Sequence, residues 1–114
     1  MEFDKLGKVT GVGHDHDEIF IACENGSFRL KAYGDCCSKS HFELPETPDV
    51  NSIVVGHVIK SIDNDGVNRD DDYPAIKKMD MMIELDEGSY SFLLINSSNG
   101  YYSGWFEIEK FKIN

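Results

Sequence analysis

This chain has few basic residues, only three prolines and no long apolar run. Its 11 Lys and Arg stand against 21 Asp and Glu, which gives a formal net charge of -10. A surface with this charge repels phosphate, so the sequence disfavours direct nucleic-acid binding and favours basic protein surfaces or cations as partners. An acidic surface that serves solubility alone is the alternative. No apolar run approaches the roughly 18 residues of a membrane span, so none is predicted.

The N-terminus has neither the basic patch nor the apolar run of a signal peptide, which indicates a cytoplasmic protein. Cysteine is also scarce. Cys36 and Cys37 are adjacent and would pair only in a strained ring, so three reduced thiols are expected instead of a disulfide framework. The 114 residues, 40% of them hydrophobic, are predicted to form one domain, 1-114, with its own core.

The strongest local pattern is a pair of alternating apolar runs between Glu18 and Tyr33, on either side of Asn25-Gly26. This dipeptide is typical of a two-residue type I′ turn, because both residues tolerate positive φ. Counting outward from that turn predicts an apolar face made of three cross-strand pairs: Cys23 with Phe28, Ile21 with Leu30, and Ile19 with Ala32.

Other segments read as strands, loops and one helical turn. Strands are predicted at 6-12 and 53-62, and the acidic segment 63-74 is predicted to be a loop. Two prolines keep the chain before Asp49 out of a sheet, and Asp49 is typical of a helix start.

Two further hairpins are predicted, with turns at Glu87-Gly88 and Asn99-Gly100. Strands joined mostly by hairpins, with little helix between them, are typical of an all-β domain. The predicted fold is therefore mainly β, an antiparallel sheet of six or seven strands curled into a sandwich or partial barrel, with at most one short helix.

Reactive side chains are densest at the end of the first hairpin. Five of them are ligand types that zinc prefers: Asp35, Cys36, Cys37, His41 and Glu43. His14 and His16 are candidate further ligands, although adjacent cysteines point to opposite faces of an extended chain and zinc ligands usually lie further apart. Two other interpretations stay open. One is a thiol nucleophile with His41 as its base, oriented by Asp35 or Asn99; the other is thiols that only pack.

A second candidate surface lies near the C-terminus. It combines rigid aromatic rings with small residues, the composition of a contact patch: Asn99, Gly100, Tyr101, Tyr102 and Trp105. In a strand, alternation puts Tyr101 and Trp105 on one face and Tyr102 on the other, so one of the two sets of rings is expected in the core.

Two motifs, Asp35-Cys36-Cys37 and Ser98-Asn99-Gly100-Tyr101-Tyr102-Ser103, resemble the D-C-C and S-N-G-Y-Y-S signatures of a small group of phage and bacterial proteins of unknown function. The resemblance extends over roughly residues 5 to 108. It implies a phage or prophage origin and the cytoplasm of a bacterial host, and it implies no activity. Members of that group are often strongly acidic after the cysteines, whereas this chain continues with Ser38-Lys39-Ser40-His41-Phe42-Glu43.

Together these observations predict a small accessory protein that binds a host protein with a basic surface. The most specific version of this prediction is an anti-defence inhibitor that mimics the phosphate charge of nucleic acid and blocks a nucleic-acid-binding host protein. No cofactor is expected in that case. The alternative is a zinc-binding or thiol-dependent enzyme domain centred on Cys36, Cys37 and His41. We also expect the two motifs to meet in space, at neighbouring strand ends.

Overall fold

In the part of the chain that the structure describes, eight strands in two antiparallel sheets make up most of the fold. The computed structural model describes residues 2-34, 39-71, 76-97 and 104-114, with the backbone alone for 65-71, 76 and 77. The strands are β1 (Val9–His14), β2 (Glu18–Cys23), β3 (Gly26–Gly34), β4 (Lys39–Glu43), β5 (Ile59–Asp71), β6 (Ile76–Leu85), β7 (Ser89–Ser97) and β8 (Gly104–Ile113). A 3-10 turn (Phe3–Leu6) precedes β1, and one short helix, α1 (Val50–Val54), lies between β4 and β5.

The two sheets face each other across one apolar core. The first sheet has the order β1-β2-β3-β8 and the second has the order β4-β7-β6-β5, and neither closes into a barrel. Because side chains alternate along a strand, each sheet sends every second residue inward. Fully buried examples from both sheets are Ile19, Ile21, Phe28, Leu30, Met81, Ile83 and Leu94. The predicted mainly β, antiparallel fold is confirmed. Of the predicted sandwich and partial barrel it is the sandwich, and the described residues form eight strands instead of six or seven.

The β2-β3 hairpin has the predicted faces but a different register. Its turn residues are Glu24 and Asn25, so Cys23 lies opposite Gly26 and each predicted pair is displaced by two residues. A displacement of two keeps every side chain on its face, which is why the predicted apolar face is correct although the pairing is wrong. Gly26 is not needed for positive φ. A Cβ there would lie 2.6 Å from Leu6 Cδ2 and against the carbonyl oxygen of Lys112, so Gly26 allows close packing.

The segment predicted as a strand at 53-62 begins as a helix. The Asp49 carboxylate accepts a hydrogen bond from the Asn51 backbone N–H at 3.1 Å and caps α1, as the sequence indicated. Val50 and Val54 on one side of this helix are buried. Gly56 then adopts φ 89°, which turns the chain, and β5 begins only at Ile59.

Two other predicted boundaries are wrong. The acidic segment predicted as a loop at 63-74 continues β5 as far as Asp71, because β6 offers it a ladder that includes Asn68 opposite Met79. Residues 72-74 lie outside the described ranges. At the N-terminus, β1 covers 9-14 instead of 6-12, because the 3-10 turn and Gly7 at φ 77° occupy the preceding positions.

The predicted hairpin at Glu87-Gly88 is confirmed, with Met81 opposite Phe92 and Gly88 at φ 80°. The predicted hairpin between β7 and β8 is wrong. β7 lies between β4 and β6, so both of its edges are occupied and β8 pairs with β3 in the other sheet. The Asn99-Gly100 dipeptide itself lies outside the described residues.

Candidate binding site

The two sheets are joined twice at one end of the sandwich. The chain passes from β3 to β4 through residues 35-38, and from β7 to β8 through residues 98-103. The strand residues that border these two joining segments are paired with each other: Gly34 lies opposite Gly104, and Lys39 lies opposite Ser97. Both segments therefore start and finish at the same end of the fold. Most of the predicted site residues belong to these segments and lie outside the described residues: Asp35, Cys36, Cys37, Asn99, Gly100, Tyr101 and Tyr102.

A small polar contact holds the described strand ends together at this end of the sandwich. Asn96 on β7 is only 3% exposed, and its Nδ2 donates a hydrogen bond of 2.8 Å to Ser40 Oγ on β4. Gly104 on β8 packs directly on this pair, since a Cβ at Gly104 would lie 2.8 Å from Asn96 Nδ2. The contact links both sheets, because β4 and β7 belong to the second sheet and β8 to the first.

Trp105 is one of the predicted site residues that the structure describes. It lies on the outer face of the first sheet and is 41% exposed. Its indole stacks on Tyr33 with ring centroids 6.0 Å apart and an interplanar angle of 18°. Phe106, the next residue, points inward and packs against the core. Of the two alternatives from the sequence, Trp105 is thus on the solvent face.

Hydrogen bonds and ion pairs fix the ring on which Trp105 stacks. The Tyr33 hydroxyl donates to Glu109, and Arg29 Nη2 donates to the same carboxylate at 3.0 Å. The bond to Glu109 raises the pKa of Tyr33, and the same bond lowers the pKa of Glu109. Arg29 also pairs with Glu18 at 3.2 Å. These ion pairs are half-buried, and together with the hydrogen bond from the Tyr33 hydroxyl they hold the ring on which Trp105 stacks.

His41 lies on β4 against His16 from the turn between β1 and β2. The imidazole centroids are 4.6 Å apart and the rings are nearly parallel, with an interplanar angle of 10°. The Phe42 N–H donates to the His16 carbonyl at 3.0 Å, so the backbone joins the two elements at the same point. Burial, and then the neighbouring His16, lower the pKa of His41, while Glu43 acts in the opposite direction.

The His16 and His41 rings are adjacent, as the zinc hypothesis requires, but their orientation does not suit one ion. The lone pair of an imidazole nitrogen lies in the ring plane, and zinc binds along it at about 2.0-2.1 Å. Two stacked, parallel rings cannot both direct lone pairs at one ion. Among the described ranges no group of three or more His, Cys, Asp or Glu is arranged to hold a metal. Glu43 is exposed on the outer face of the second sheet.

Cys23 is the cysteine that the described ranges include. It is half-buried and packs against the core, as its place on the apolar hairpin face predicted. Burial raises the pKa of its thiol, and the charge of Glu24 adds to this effect. A thiol with a raised pKa is a poor nucleophile at neutral pH.

The sequence did not reveal the network around Tyr33 or the Ser40-Asn96-Gly104 contact. The mixed outer face of β3, with Arg29 and Tyr33, was visible in the alternation. Its acidic partner Glu109 was not, because β8 was assigned to a hairpin with β7. The one signal that favoured the observed pairing was charge: Glu109 lies opposite Arg29 across β3 and β8.

Comparisons with known proteins relate the chain to a mimivirus protein. No protein-family profile matches it, and no solved structure does. The uncharacterized protein L278 of Acanthamoeba polyphaga mimivirus is 37% identical over 89 residues, which cover 72% of this chain and 68% of that protein. No helix in the described ranges is long and apolar enough to cross a membrane. At this identity and coverage, the chain belongs to the same family as the mimivirus protein L278.

Proposed function

We propose that this protein is a viral accessory protein that binds a host protein with a basic surface, at the end of the sandwich where residues 35-38 and 98-103 join the sheets. The observation that carries the proposal is the double pairing of Gly34 with Gly104 and of Lys39 with Ser97. This pairing brings the residues that border both joining segments together at one end of the fold. Loops held by a rigid scaffold are where binding residues concentrate.

The described residues beside these segments have the chemistry of a binding surface. Trp105 gives a large exposed ring whose position is already fixed by Tyr33, so little side-chain entropy is lost when a partner covers it. Glu107 lies two residues further along the same strand, on the same outer face. Glu107 adds one carboxylate to this face, opposite Lys31 on β3. The net charge of -10 favours a basic partner and speeds its approach.

The sharpest form of the proposal is that the carboxylates stand in for phosphates and occupy a nucleic-acid-binding surface of a host or defence protein. In that case added DNA competes with this protein for the partner. A partner that binds this protein and DNA at the same time would contradict the mimicry while leaving the binding function in place.

The binding function is tested by capture at physiological salt. The purified chain is immobilised and exposed to bacterial and to amoebal extracts, since the motifs resemble phage proteins and the relative is a mimivirus protein. We expect retention of a basic protein, with at least a tenfold loss of affinity on Trp105→Ala. Phe20→Ala is the matched control, because Phe20 is a similarly exposed aromatic on the same sheet. Retention of no basic protein, or equal losses in both variants, would contradict the proposal.

A second candidate is zinc or thiol chemistry at Cys36, Cys37 and His41, in which His41 acts without His16, because the two stacked rings cannot share one ion. Elemental analysis of protein purified without chelator, together with thiol titration, tests it. One zinc per chain that is lost on Cys36→Ser, or one rapidly alkylated thiol, would support this candidate. Absence of zinc together with three slowly reacting thiols would exclude it.

A further inference from the structure

The two sides of the sandwich are closed differently. Along β1, the side-chain amide of Asn51 takes the place of a neighbouring strand: its Oδ1 accepts from the Val12 N–H and its Nδ2 donates to the Val12 carbonyl, both at 2.9 Å. Val9 is paired in the same way, since its N–H donates to His57 and its carbonyl accepts from Gly56, both at 2.9 Å. This edge of the first sheet is therefore satisfied from within the chain.

The opposite side has two edge strands with a cleft between them. Within the described ranges β8 pairs with β3 alone and β5 pairs with β6 alone. Between them lies a cleft of about 760 Å³ whose floor is apolar, with Phe3, Ile62, Phe106 and Ile108. Its rim carries Lys60, Asp63 and Glu107.

Burial shows that the core is incompletely covered at this cleft. Inward-facing residues of β3, such as Phe28 and Leu30, are 0% exposed. Phe106 and Ile108 occupy the corresponding inward positions on β8, and they remain only partly buried. A strand edge without a partner among the described residues, beside partly exposed apolar side chains such as Phe106 and Ile108, is the arrangement to which extended peptides add as a further strand.

We propose that this cleft binds an extended segment of a protein partner, which pairs with the edge of β8 and alternates apolar with basic residues. The available edge, residues 104-109, is about 20 Å long at the usual rise per strand residue. Alternate side chains of an added strand would reach the floor formed by Phe3 and Ile108. The other side chains would lie on the outer face of the first sheet, where Glu107 is exposed. The basic character of the segment rests on the proposed function; the strand pairing does not.

A second copy of this chain is a poorer occupant. Lys110 adopts φ 53° at an irregularity of the β3-β8 ladder, and Lys112 follows it on the same edge strand. A bulge and lysines on an edge strand are devices that oppose pairing between identical chains. Two chains of charge -10 also repel each other.

The test uses an eight-residue peptide of alternating valine and lysine as the probe, with the intact protein. Backbone hydrogen exchange is followed with and without the peptide. We expect slower exchange at the amides of β8, no change in β1, and an affinity at least tenfold weaker for the same peptide with alternate amides N-methylated. The methylated peptide keeps the charge and loses the ladder, so it separates strand pairing from general attraction to an acidic protein.

Two protein variants test the rim. Glu107→Lys is expected to weaken binding of the valine-lysine peptide about threefold to tenfold, whereas Glu46→Lys, an equal charge change in an exposed loop, is expected to have a much smaller effect. An equal effect of both variants would contradict the placement of the peptide beside Glu107. Tighter binding of a valine-glutamate peptide would overturn the basic partner, and the proposed function with it.

The remaining outcomes distinguish a partner segment from the other possible occupants of the cleft, a second copy of this chain or the chain itself. In one outcome the valine-lysine peptide does not slow hydrogen exchange in β8, while Trp105→Ala still weakens binding of a captured basic protein. The cleft proposal then fails and the proposed function stands. Protection of β8 without peptide that grows with protein concentration would identify a second copy and overturn the proposal. Protection without peptide at every concentration would mean that the chain covers its own edge, which also overturns it.

Discussion

At the scale of single residues, the structure depends on a few close contacts between small side chains. Gly104 packs on Ser40 and Asn96 where three strands end, and Gly26 packs under the end of β8. Neither glycine adopts a left-handed φ, so each is required for space and not for backbone conformation. A single sequence does not distinguish the two reasons, which is why Gly26 was assigned to a turn.

Replacing Gly104 with alanine is expected to lower the free energy of unfolding by about 1 to 3 kcal/mol. The added Cβ would overlap Ser40 Oγ and Asn96 Nδ2, and the hydrogen bond between these two side chains would break. Urea unfolding measures the change. Gly13→Ala in β1 is the control, because a Cβ there meets nothing within 4 Å. Equal destabilisation by both substitutions would contradict the packing role of Gly104.

His41 should make stability depend on pH near neutrality. Its pKa in the folded protein lies below the ordinary value of 6.5, because burial and then His16 disfavour the charged ring. His41 therefore binds a proton more readily in the unfolded chain than in the folded protein. The contribution of neutral His41 to the free energy of unfolding is complete above about pH 6.5 and is lost as the pH falls towards the folded pKa. Asp86 and Glu109, whose pKa values are lowered, titrate below this range.

We expect urea unfolding to show lower stability at pH 5.5 than at pH 7.5, and the difference to shrink in His41→Gln. Because the stabilities at the two pH values are compared within each protein, the effect of the substitution itself on packing cancels. An unchanged pH difference in His41→Gln would mean that another group causes it.

At the scale of elements, local patterns predicted which strands exist and which face is buried, and they failed on partners. The alternation in β2, β3, β6 and β7 was sufficient to identify their inward residues. The two Asn-Gly dipeptides both suggested two-residue hairpins. One turn lies one residue earlier, and the other strand pair does not exist, because β7 already has two neighbours. Pairing depends on which edges are free in the folded sheet, and no local window contains that information.

The helix α1 illustrates an element whose role is to close an edge. Asn51→Ala would leave the Val12 N–H and carbonyl without the amide that now binds both, and we expect a loss of about 1 to 2 kcal/mol in the free energy of unfolding. Ser52→Ala, at the next position of the same helix, removes only an exposed hydrogen bond from the Ser52 hydroxyl to the Asp49 carbonyl and is expected to cost about 0.5 kcal/mol or less. Equal losses would show that helix propensity, and not the edge contact, explains the effect.

At the scale of the whole molecule, the fold class followed from the sequence and the arrangement of the candidate site did not. An antiparallel fold that is either a sandwich or a partial barrel was predictable from alternating strands separated by turns, and proximity of the two motifs was an expectation. That expectation is supported by the pairing of Gly34 with Gly104 and of Lys39 with Ser97 at the borders of the joining segments. These pairs depend on the order of strands in the sheets, which the sequence alone does not reveal. The open cleft between β5 and β8 was also invisible, because it requires knowing that each of these strands lies at the edge of a different sheet.

The central claim is that the end of the sandwich carrying both joining segments is the surface that binds the partner. Hydrogen exchange of this protein in complex with a captured basic partner tests it most directly. We predict slower exchange at the amides around Tyr33 and Trp105, with no change at the Glu24-Asn25 turn at the other end of β3. Protection confined to that turn, or absent from both ends, would contradict the account.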